Sequence, residues 1–142
     1  MTSPNKGRAI VFPGQGSQAV GMGRELADNF QVARIVLEQV DEALGESLSK
    51  LMFDGPEEAL TLTRNAQPAL MAVSVAALRV LESETGKSID QFADYVAGHS
   101  LGEYSALSCA GYLSFSNTLK ILRIRGDAMQ NSVPNGEGGM VA

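Results

Sequence analysis

Gly98-His99-Ser100-Leu101-Gly102 is the stretch around which the sequence is organised, a G-x-S-x-G pentapeptide between an apolar, strand-like run and a run of small residues typical of a helix. In a nucleophile elbow a serine occupies a strained strand-to-helix turn, and glycines flank it because a Cβ would collide with neighbouring backbone. The pattern makes Ser100 a candidate nucleophile. A plainer interpretation is that Ser100 caps the following helix, because Ser100 and Glu103 have the spacing of a capping box.

Length and composition limit the possible classes of protein to which this chain could belong. A chain of 142 residues can bury enough surface to form one ordinary domain, and 44% hydrophobic with 19% charged residues is typical of a globular protein. The longest apolar stretch, Pro68 to Leu78, is well short of the ~20 residues that a membrane-spanning helix needs. The apolar run after Met1 to Arg8 is too short for a signal peptide. These features predict a cytoplasmic protein without a membrane segment.

Charge and the counts of cysteine and histidine exclude several functions. The net charge of -5 argues against binding to nucleic acid, which needs a basic face. With a single cysteine, Cys109, and a single histidine, His99, the chain has no internal disulfide framework and few of the ligands that a zinc site uses. No metal is therefore predicted. Cys109 lies among small residues and is predicted to be a core residue rather than a nucleophile.

The periodicity of apolar residues predicts an α/β protein. Two runs favour buried strands, Ala9 to Phe12 and Phe92 to Gly98. The predicted helices run from Gly23 through Phe30, from Val32 to a stop at Gly45, over Ser47 to Phe53, from Pro56, over Asn65 to Glu84 with a stop at Gly86, over Leu101 to Ala110, and from a cap at Ser114 or Ser116 to about Asn131. Pro134 to Gly139 is predicted to be a loop. Two parallel strands are a poor core for so many helices, so further strands are expected beyond Ala142.

The loop Gly14 to Gln18 follows the first predicted strand, at the sheet edge where ligands of α/β proteins bind. Its glycines would allow backbone N–H groups to approach a substrate. It weakly resembles a nucleotide-binding loop, but the Lys-Ser/Thr pair of a P-loop is missing. The alternative is a plain turn.

Arg125 stands out on the last predicted helix. At helical spacing it falls in the middle of an apolar stripe formed by Ile121, Leu122, Ala128 and Met129. The opposite face carries charges expected to be solvated: Lys120, Arg123 and Asp127. An inward guanidinium must be paired, either with a structural carboxylate or with an anionic ligand.

His99 is adjacent to Ser100 but is a poor candidate for its base. Successive side chains leaving a strand point to opposite sides, so the base of a nucleophilic serine normally comes from a distant part of the chain. Because the chain has no second histidine, the base is expected outside these 142 residues. A structural role is predicted for His99.

Four blocks in order resemble malonyl-CoA:acyl carrier protein transacylases of fatty acid and polyketide synthesis: residues 12–18, 65–69, 98–104 and 125–130. The resemblance covers the chain from about Ala9 to its end. It implies the large subdomain of an α/β hydrolase-like fold, with a parallel sheet and a nucleophile elbow, truncated before or at a ferredoxin-like small subdomain. Residues 1–132 would be the N-terminal part of the large subdomain, and residues 133–142 a linker and the start of the small one.

The resemblance also implies a reaction and a site. Ser100 would take malonyl from malonyl-CoA as an ester and pass it to the phosphopantetheine thiol of acyl carrier protein. Backbone N–H groups of Gln15 and Leu101 would form the oxyanion hole, and Arg125 would bind the malonyl carboxylate. Leu101 after the serine resembles malonyl-selective members. The supporting residues would be His99, Gly98 and Gly102.

The same resemblance implies no permanently bound cofactor and a monomeric parent protein. Because the family's catalytic histidine lies C-terminal to residue 142, the isolated chain is expected to be inactive or nearly so. Two alternatives remain open: an α/β-type serine hydrolase or thioesterase, and a truncated, non-catalytic module that binds acyl carrier protein. An acidic carrier would have to dock on a local basic patch, because the net charge of the chain is negative.

Overall fold

The structure is a computed structural model that describes residues 7–133. In this part of the chain two strands and eight helices follow one another as β1 (Ala9–Phe12), α1 (Arg24–Asn29), α2 (Gln31–Leu44), α3 (Leu48–Asp54), α4 (Glu57–Thr61), α5 (Thr63–Thr85), α6 (Ile89–Phe92), β2 (Tyr95–Gly98), α7 (Leu101–Cys109) and α8 (Phe115–Gln130). The prediction of an α/β protein is confirmed. The loop predicted over 134–139, and all of the predicted linker after residue 133, lie outside the described residues.

The two strands pair in parallel, with Ala9 opposite Tyr95 and Phe12 opposite Gly98. Parallel strands end at the same edge of a sheet, so the loop that follows β1 and the pentapeptide that follows β2 lie side by side. The hydrogen-bond ladder continues one step beyond the sheet, since the backbone N–H of His99 donates to the carbonyl of Phe12 at 3.1 Å. The topology thus brings residues from two distant segments to one place.

Helix α5 is the centre of the packing. It is 23 residues long and contacts α2, α7 and α8, and most of its residues from Thr63 to Leu78 are buried. Its last turns are more open, because Leu81 is 41% exposed. The prediction of a buried central helix is therefore confirmed for the first two thirds of α5 only. Gly45 and Gly86 end α2 and α5 in the left-handed conformation, at φ 66° and 65°, as the sequence predicts.

The strand expected over Phe92 to Gly98 is shorter than predicted. It begins at Tyr95, and Phe92 is instead the last residue of the short helix α6. Local capping explains the difference: Ser88 and Gln91 form a capping box, in which the Ser88 backbone N–H donates to Gln91 Oε1 at 3.0 Å. These hydrogen bonds satisfy N–H groups at the start of a helix and favour it over a strand.

An apolar groove of about 540 Å³ runs between β1 and α5. Its lining includes Val11, which is 69% exposed, and Leu81. Neither Ser100 nor Arg125 is among the lining residues. Over residues 7–133, no helix combines the length and apolar character needed to cross a bilayer.

Candidate active site

Ser100 occupies a strained turn between β2 and α7. Its φ of 54° and ψ of -114° make it the one non-glycine residue with positive φ in the described part of the chain. Such backbone costs about 1–3 kcal/mol and persists only where its surroundings enforce it. The enforcing contacts are close: a Cβ on Gly98 would overlap the backbone of Gly102, and a Cβ on Gly102 would lie 2.8 Å from the carbonyl oxygen of Pro13. Both glycines are therefore required by packing of backbone on backbone.

The capping interpretation of Ser100 is wrong. Ser100 stands at the N-cap position of α7, but its side chain makes no hydrogen bond to the helix. The first turn is instead closed by backbone, since the N–H of Gly102 donates to the carbonyl of His99 at 2.8 Å and that of Glu103 to the carbonyl of Ser100 at 3.1 Å. The Ser100 hydroxyl is thus free to interact outside its own helix.

Arg125 reaches that hydroxyl from α8. Its Nη2 donates to Ser100 Oγ at 3.1 Å, and its Nη1 donates to Gln67 Oε1 at 2.5 Å. The guanidinium carbon lies 5.7 Å from the centre of the Tyr104 ring, within the range of a cation–π contact. No carboxylate of residues 7–133 forms an ion pair with Arg125. A cation held only by neutral groups beside a hydroxyl is arranged to attract an anion.

The helical-wheel prediction for α8 needs correction. Ile121 and Ala128 of the predicted apolar stripe are exposed, and the buried face consists of Thr118, Leu119, Leu122 and Gly126. Packing shifts the face because α8 contacts α5, α2 and α7 rather than a single neighbour. Arg125 is nevertheless partly buried and contacts Gln67 on α5 and Ser100 beside α7.

Arg123 is also placed differently from the prediction, which assigned it to the solvated face. Its side chain is only 12% exposed, and it pairs with Glu46. Its Nη1 also donates to the carbonyl of Arg64 at 2.7 Å and to Asn65 Oδ1 at 2.6 Å. Burial lowers the pKa of the Arg123 guanidinium, and the negative charge of Asp127 opposes that shift. Asp127 itself forms an ion pair with Arg64 at 2.6 Å.

Gln67 is a further candidate site residue, to which the sequence pattern assigns no role. Its side chain is fully buried on α5, where Oε1 accepts from Arg125 and Nε2 approaches Met129 Sδ at 3.3 Å. An amide inside an apolar helix face is costly unless it is hydrogen-bonded. The available signal was a polar side chain directly before the apolar stretch from Pro68 to Leu78.

The loop after β1 is fixed on two sides. A Cβ on Gly14 would overlap the His99 ring, so this glycine packs directly on the imidazole. The Gln15 side chain accepts a hydrogen bond at 2.6 Å from Thr63 Oγ1, at the start of α5. Within residues 7–133, neither the backbone N–H of Gln15 nor that of Leu101 has a hydrogen-bond partner. Two such N–H groups on the segments that meet at the elbow are available as donors.

The remaining chemically reactive side chains are not arranged for catalysis. His99 makes no ring hydrogen bond to Ser100 in the described region; its backbone ties the elbow to β1. Cys109 is buried as predicted, and burial raises the pKa of its thiol to about 11, which keeps it protonated and unreactive at neutral pH. Among residues 7–133 there is no group of three histidine, cysteine or carboxylate side chains that could hold a metal ion.

Comparison with known proteins gives the context of this site. The family model described as the acyl transferase domain matches residues 9–142. The malonyl CoA-acyl carrier protein transacylase of Bacillus subtilis (strain 168) is 49% identical over 134 residues, which are 94% of this chain and 41% of the relative. The protein of the same name from Salmonella typhimurium is 46% identical over 134 residues, 42% of its length. The chain thus spans about two fifths of the length of these curated relatives.

Solved structures agree with this comparison. An acyl-carrier-protein-S-malonyltransferase from Bartonella henselae is 57% identical, with a TM-score of 0.86 over 89% of this chain and 40% of that one. A malonyl-transacylase solved in complex with its type II PKS acyl-carrier protein is 46% identical, with a TM-score of 0.82 over 90% of this chain and 40% of that one. At these identities the likeness extends to the α/β acyltransferase fold, as the sequence predicts, and the described residues form part of such a domain.

Proposed function

The chain belongs to the acyl transferase domain family, and from this membership we propose that it forms part of an enzyme that moves a malonyl group from malonyl-CoA to the phosphopantetheine thiol of acyl carrier protein. The reaction would serve fatty acid biosynthesis. The names of its relatives support the reaction. The site supports the assignment of residues, with Ser100 as nucleophile and Arg125 as the group that binds the malonyl carboxylate.

One observation carries the proposal: the 3.1 Å hydrogen bond from Arg125 Nη2 to Ser100 Oγ. When Ser100 attacks a thioester carbonyl, the acyl carbon comes to lie at Oγ. An acyl group that also reaches the adjacent guanidinium must carry an anion close to that carbon. A carboxylate one carbon away, as in malonyl, suits this short separation, and arginine binds carboxylates through two parallel hydrogen bonds.

The chemistry is a two-step exchange through an ester. Ser100 Oγ attacks the thioester carbonyl of malonyl-CoA while its proton passes to a base, the C–S bond breaks, and coenzyme A leaves as a thiol after protonation. The carrier thiol then attacks the malonyl ester, the bond to Oγ breaks, and the Ser100 hydroxyl is restored. In both steps the carbonyl oxygen becomes negative, and the backbone N–H groups of Gln15 and Leu101 would stabilise it.

The base is proposed to come from sequence outside these 142 residues. The chain has one histidine, His99, and its ring makes no hydrogen bond to Ser100 in the described region. The supporting residues would be His99, Gly98 and Gly102, which shape the elbow. The isolated chain is therefore expected to transfer malonyl at a small fraction of the rate of the complete enzyme.

The remaining features of the proposal follow from the same reaction. Malonyl-CoA and acyl carrier protein are the expected partners, without a permanently bound cofactor or metal. The enzyme would act in the cytoplasm as a monomer. Because the net charge of the chain is -5, an acidic carrier would dock through a local basic patch.

The test is to incubate the complete enzyme with malonyl-CoA and record its intact mass, with Ser100→Ala as control. The proposal expects one malonyl group on Ser100, stable until carrier protein is added, and no adduct in the variant. Rapid release of malonate without carrier would instead indicate a serine hydrolase. Carrier binding that is unchanged in Ser100→Ala, with no acylation of either protein, would indicate a binding module. Turnover by the 142-residue chain at nearly the full rate would contradict the external base.

A further inference from the structure

We infer that Gln67 is a positioning residue: its buried amide holds one edge of the Arg125 guanidinium so that the other edge faces Ser100, and it thereby favours acyl groups that carry a carboxylate. The inference rests on the proposed function, because it assumes that Arg125 meets the carboxylate of the substrate. It explains why the Arg125 guanidinium faces Ser100, because the position of Arg125 on α8 does not by itself set that orientation.

The hydrogen bonds fix the orientation of the Gln67 amide. Arginine has only donors, so the oxygen of the amide must face it, and Oε1 accepts from Arg125 Nη1 at 2.5 Å. The amide nitrogen then lies 3.3 Å from Met129 Sδ, a weak acceptor on the same helix as Arg125. Since Gln67 is fully buried, water cannot substitute for either partner. The amide is held against α8 at two points.

The contacts restrict the guanidinium on three sides. Gln67 holds Nη1, the ring of Tyr104 lies 5.7 Å from the guanidinium carbon, and Nη2 is left directed at Ser100. A free arginine side chain loses considerable conformational entropy when a ligand immobilises it. Holding the guanidinium in place before the substrate arrives removes part of that cost.

A neutral amide suits this task better than a carboxylate. Glutamate at position 67 would hold the guanidinium equally well but would also neutralise its charge, which would weaken attraction for the substrate. Arg123 shows the contrasting case. It is paired with the carboxylate of Glu46, which neutralises its charge and leaves little attraction for a further anion. Glutamine therefore fixes the geometry of Arg125 and leaves its positive charge available.

The experiment uses the complete enzyme with Ser100→Ala, which cannot form the malonyl ester. It compares this protein with the same protein carrying Gln67→Met or Gln67→Glu, by calorimetric titration of malonyl-CoA and acetyl-CoA, two ligands that differ in the carboxylate. With Gln67 in place the protein should prefer malonyl-CoA. Gln67→Met should reduce that preference on the order of 10-fold, since it loses a hydrogen bond to a charged group, and Gln67→Glu should reduce it at least as much. Acetyl-CoA should bind all three alike. The exposed Gln39 provides the control, because Gln39→Met and Gln39→Glu should leave both affinities unchanged.

A ligand-free measurement tests the restraint itself. The side-chain Nε–H resonance of Arg125, assigned with Arg125→Lys, should show an ordered group in the unsubstituted chain and in Gln67→Glu, and a mobile one in Gln67→Met. An Arg125 that stays equally ordered in Gln67→Met would overturn the inference whatever the ligands do.

The outcomes separate this inference from the proposed function. If the protein with Gln67 in place shows no preference for malonyl-CoA, the carboxylate-binding role of Arg125 fails. If the preference exists and survives both Gln67 variants, only the role of Gln67 fails. A parallel loss of affinity for both ligands, together with a lower Tm, would reduce Gln67 to a packing residue and also overturn the inference.

Discussion

Arg123 and Arg125 are two positions apart on α8, yet their side chains have different kinds of partner. Arg123 is surrounded by acceptors and includes the carboxylate of Glu46 among its partners. Arg125 has only Gln67, the Ser100 hydroxyl and the ring of Tyr104. Both arginines contact α5 through a residue 58 positions earlier in the chain. The guanidinium of Arg123 is therefore paired with a negative charge, and the guanidinium of Arg125 on the same helix has neutral partners.

The difference is that between a cation already paired within the protein and a cation whose charge is available to a ligand. A buried charge is tolerated when it is paired and hydrogen-bonded, as Arg123 is, and such a pair has little attraction left for a ligand. The partners of Arg125 in the described region are neutral, so its charge remains available beside Ser100, the proposed nucleophile. Burial alone would not single out the arginine proposed to bind the substrate, because Arg123 is the arginine in closer contact with protein acceptors.

Removing Arg125 should give the largest effect and should change binding rather than stability. Arg125→Ala is expected to reduce the preference for malonyl-CoA over acetyl-CoA about 100-fold, because the carboxylate loses a charged partner. Calorimetric titration of both thioesters measures it in the complete enzyme with Ser100→Ala, which cannot form the malonyl ester. Acetyl-CoA serves as the internal control, and a variant that keeps its preference would show that the two arginines do not differ as described.

Removing Arg123 should do the reverse. Arg123→Met leaves Asn65, the Arg64 carbonyl and Glu46 without their donor, so we expect a loss of about 2 kcal/mol in the free energy of unfolding. Urea denaturation followed by circular dichroism measures this loss. The ratio of the malonyl-CoA and acetyl-CoA affinities should stay the same at a temperature where the variant is folded. A changed ratio would indicate that Arg123 also contributes to the site.

Gly126 follows Arg125 on α8 and packs against the start of α5, so its substitution should disturb both arginines. A Cβ at this position would lie 2.6 Å from Arg64 Cα and 2.9 Å from the Thr63 carbonyl oxygen, so α8 would have to move away from α5. Overpacking of this kind typically costs 1–3 kcal/mol, and the better helix propensity of alanine returns roughly 1 kcal/mol. We expect Gly126→Ala to be destabilised by about 1 kcal/mol and to bind malonyl-CoA less selectively. Higher stability in urea would contradict the close approach of the helices.

The smallest effect should come from the ion pair between Arg64 and Asp127, whose carboxylate acts on Arg123 but in which both side chains are 40% exposed. Pairs of this kind contribute roughly 0–1 kcal/mol and are screened by salt. Asp127→Asn should lower the free energy of unfolding by less than about 1 kcal/mol, and the difference should shrink in 1 M salt. A larger loss would mean that Asp127 supports Arg123 more strongly than its exposure suggests.

Local sequence predicted the elbow well because backbone conformation is encoded locally. Three local patterns needed no distant partner to be interpreted. The G-x-S-x-G pattern and the stops at Gly45 and Gly86 indicate backbone that favours glycine, and the apolar run of β1 indicates a buried strand. The prediction was weaker where two local signals competed. Phe92 lies in α6 rather than in β2, because the capping box of Ser88 and Gln91 outweighed the apolar run.

What the sequence determined by itself was a strained serine turn after one strand and a glycine loop after another. They lie side by side because β1 and β2 pair in parallel in the structure. What only the tertiary structure decided was the difference between Arg123 and Arg125. A helical wheel assumes one buried face, but α8 packs against α5, α2 and α7 at once. Arg123 pairs with Glu46 and Arg125 with Gln67, two residues far away in the sequence. No local pattern specifies that packing.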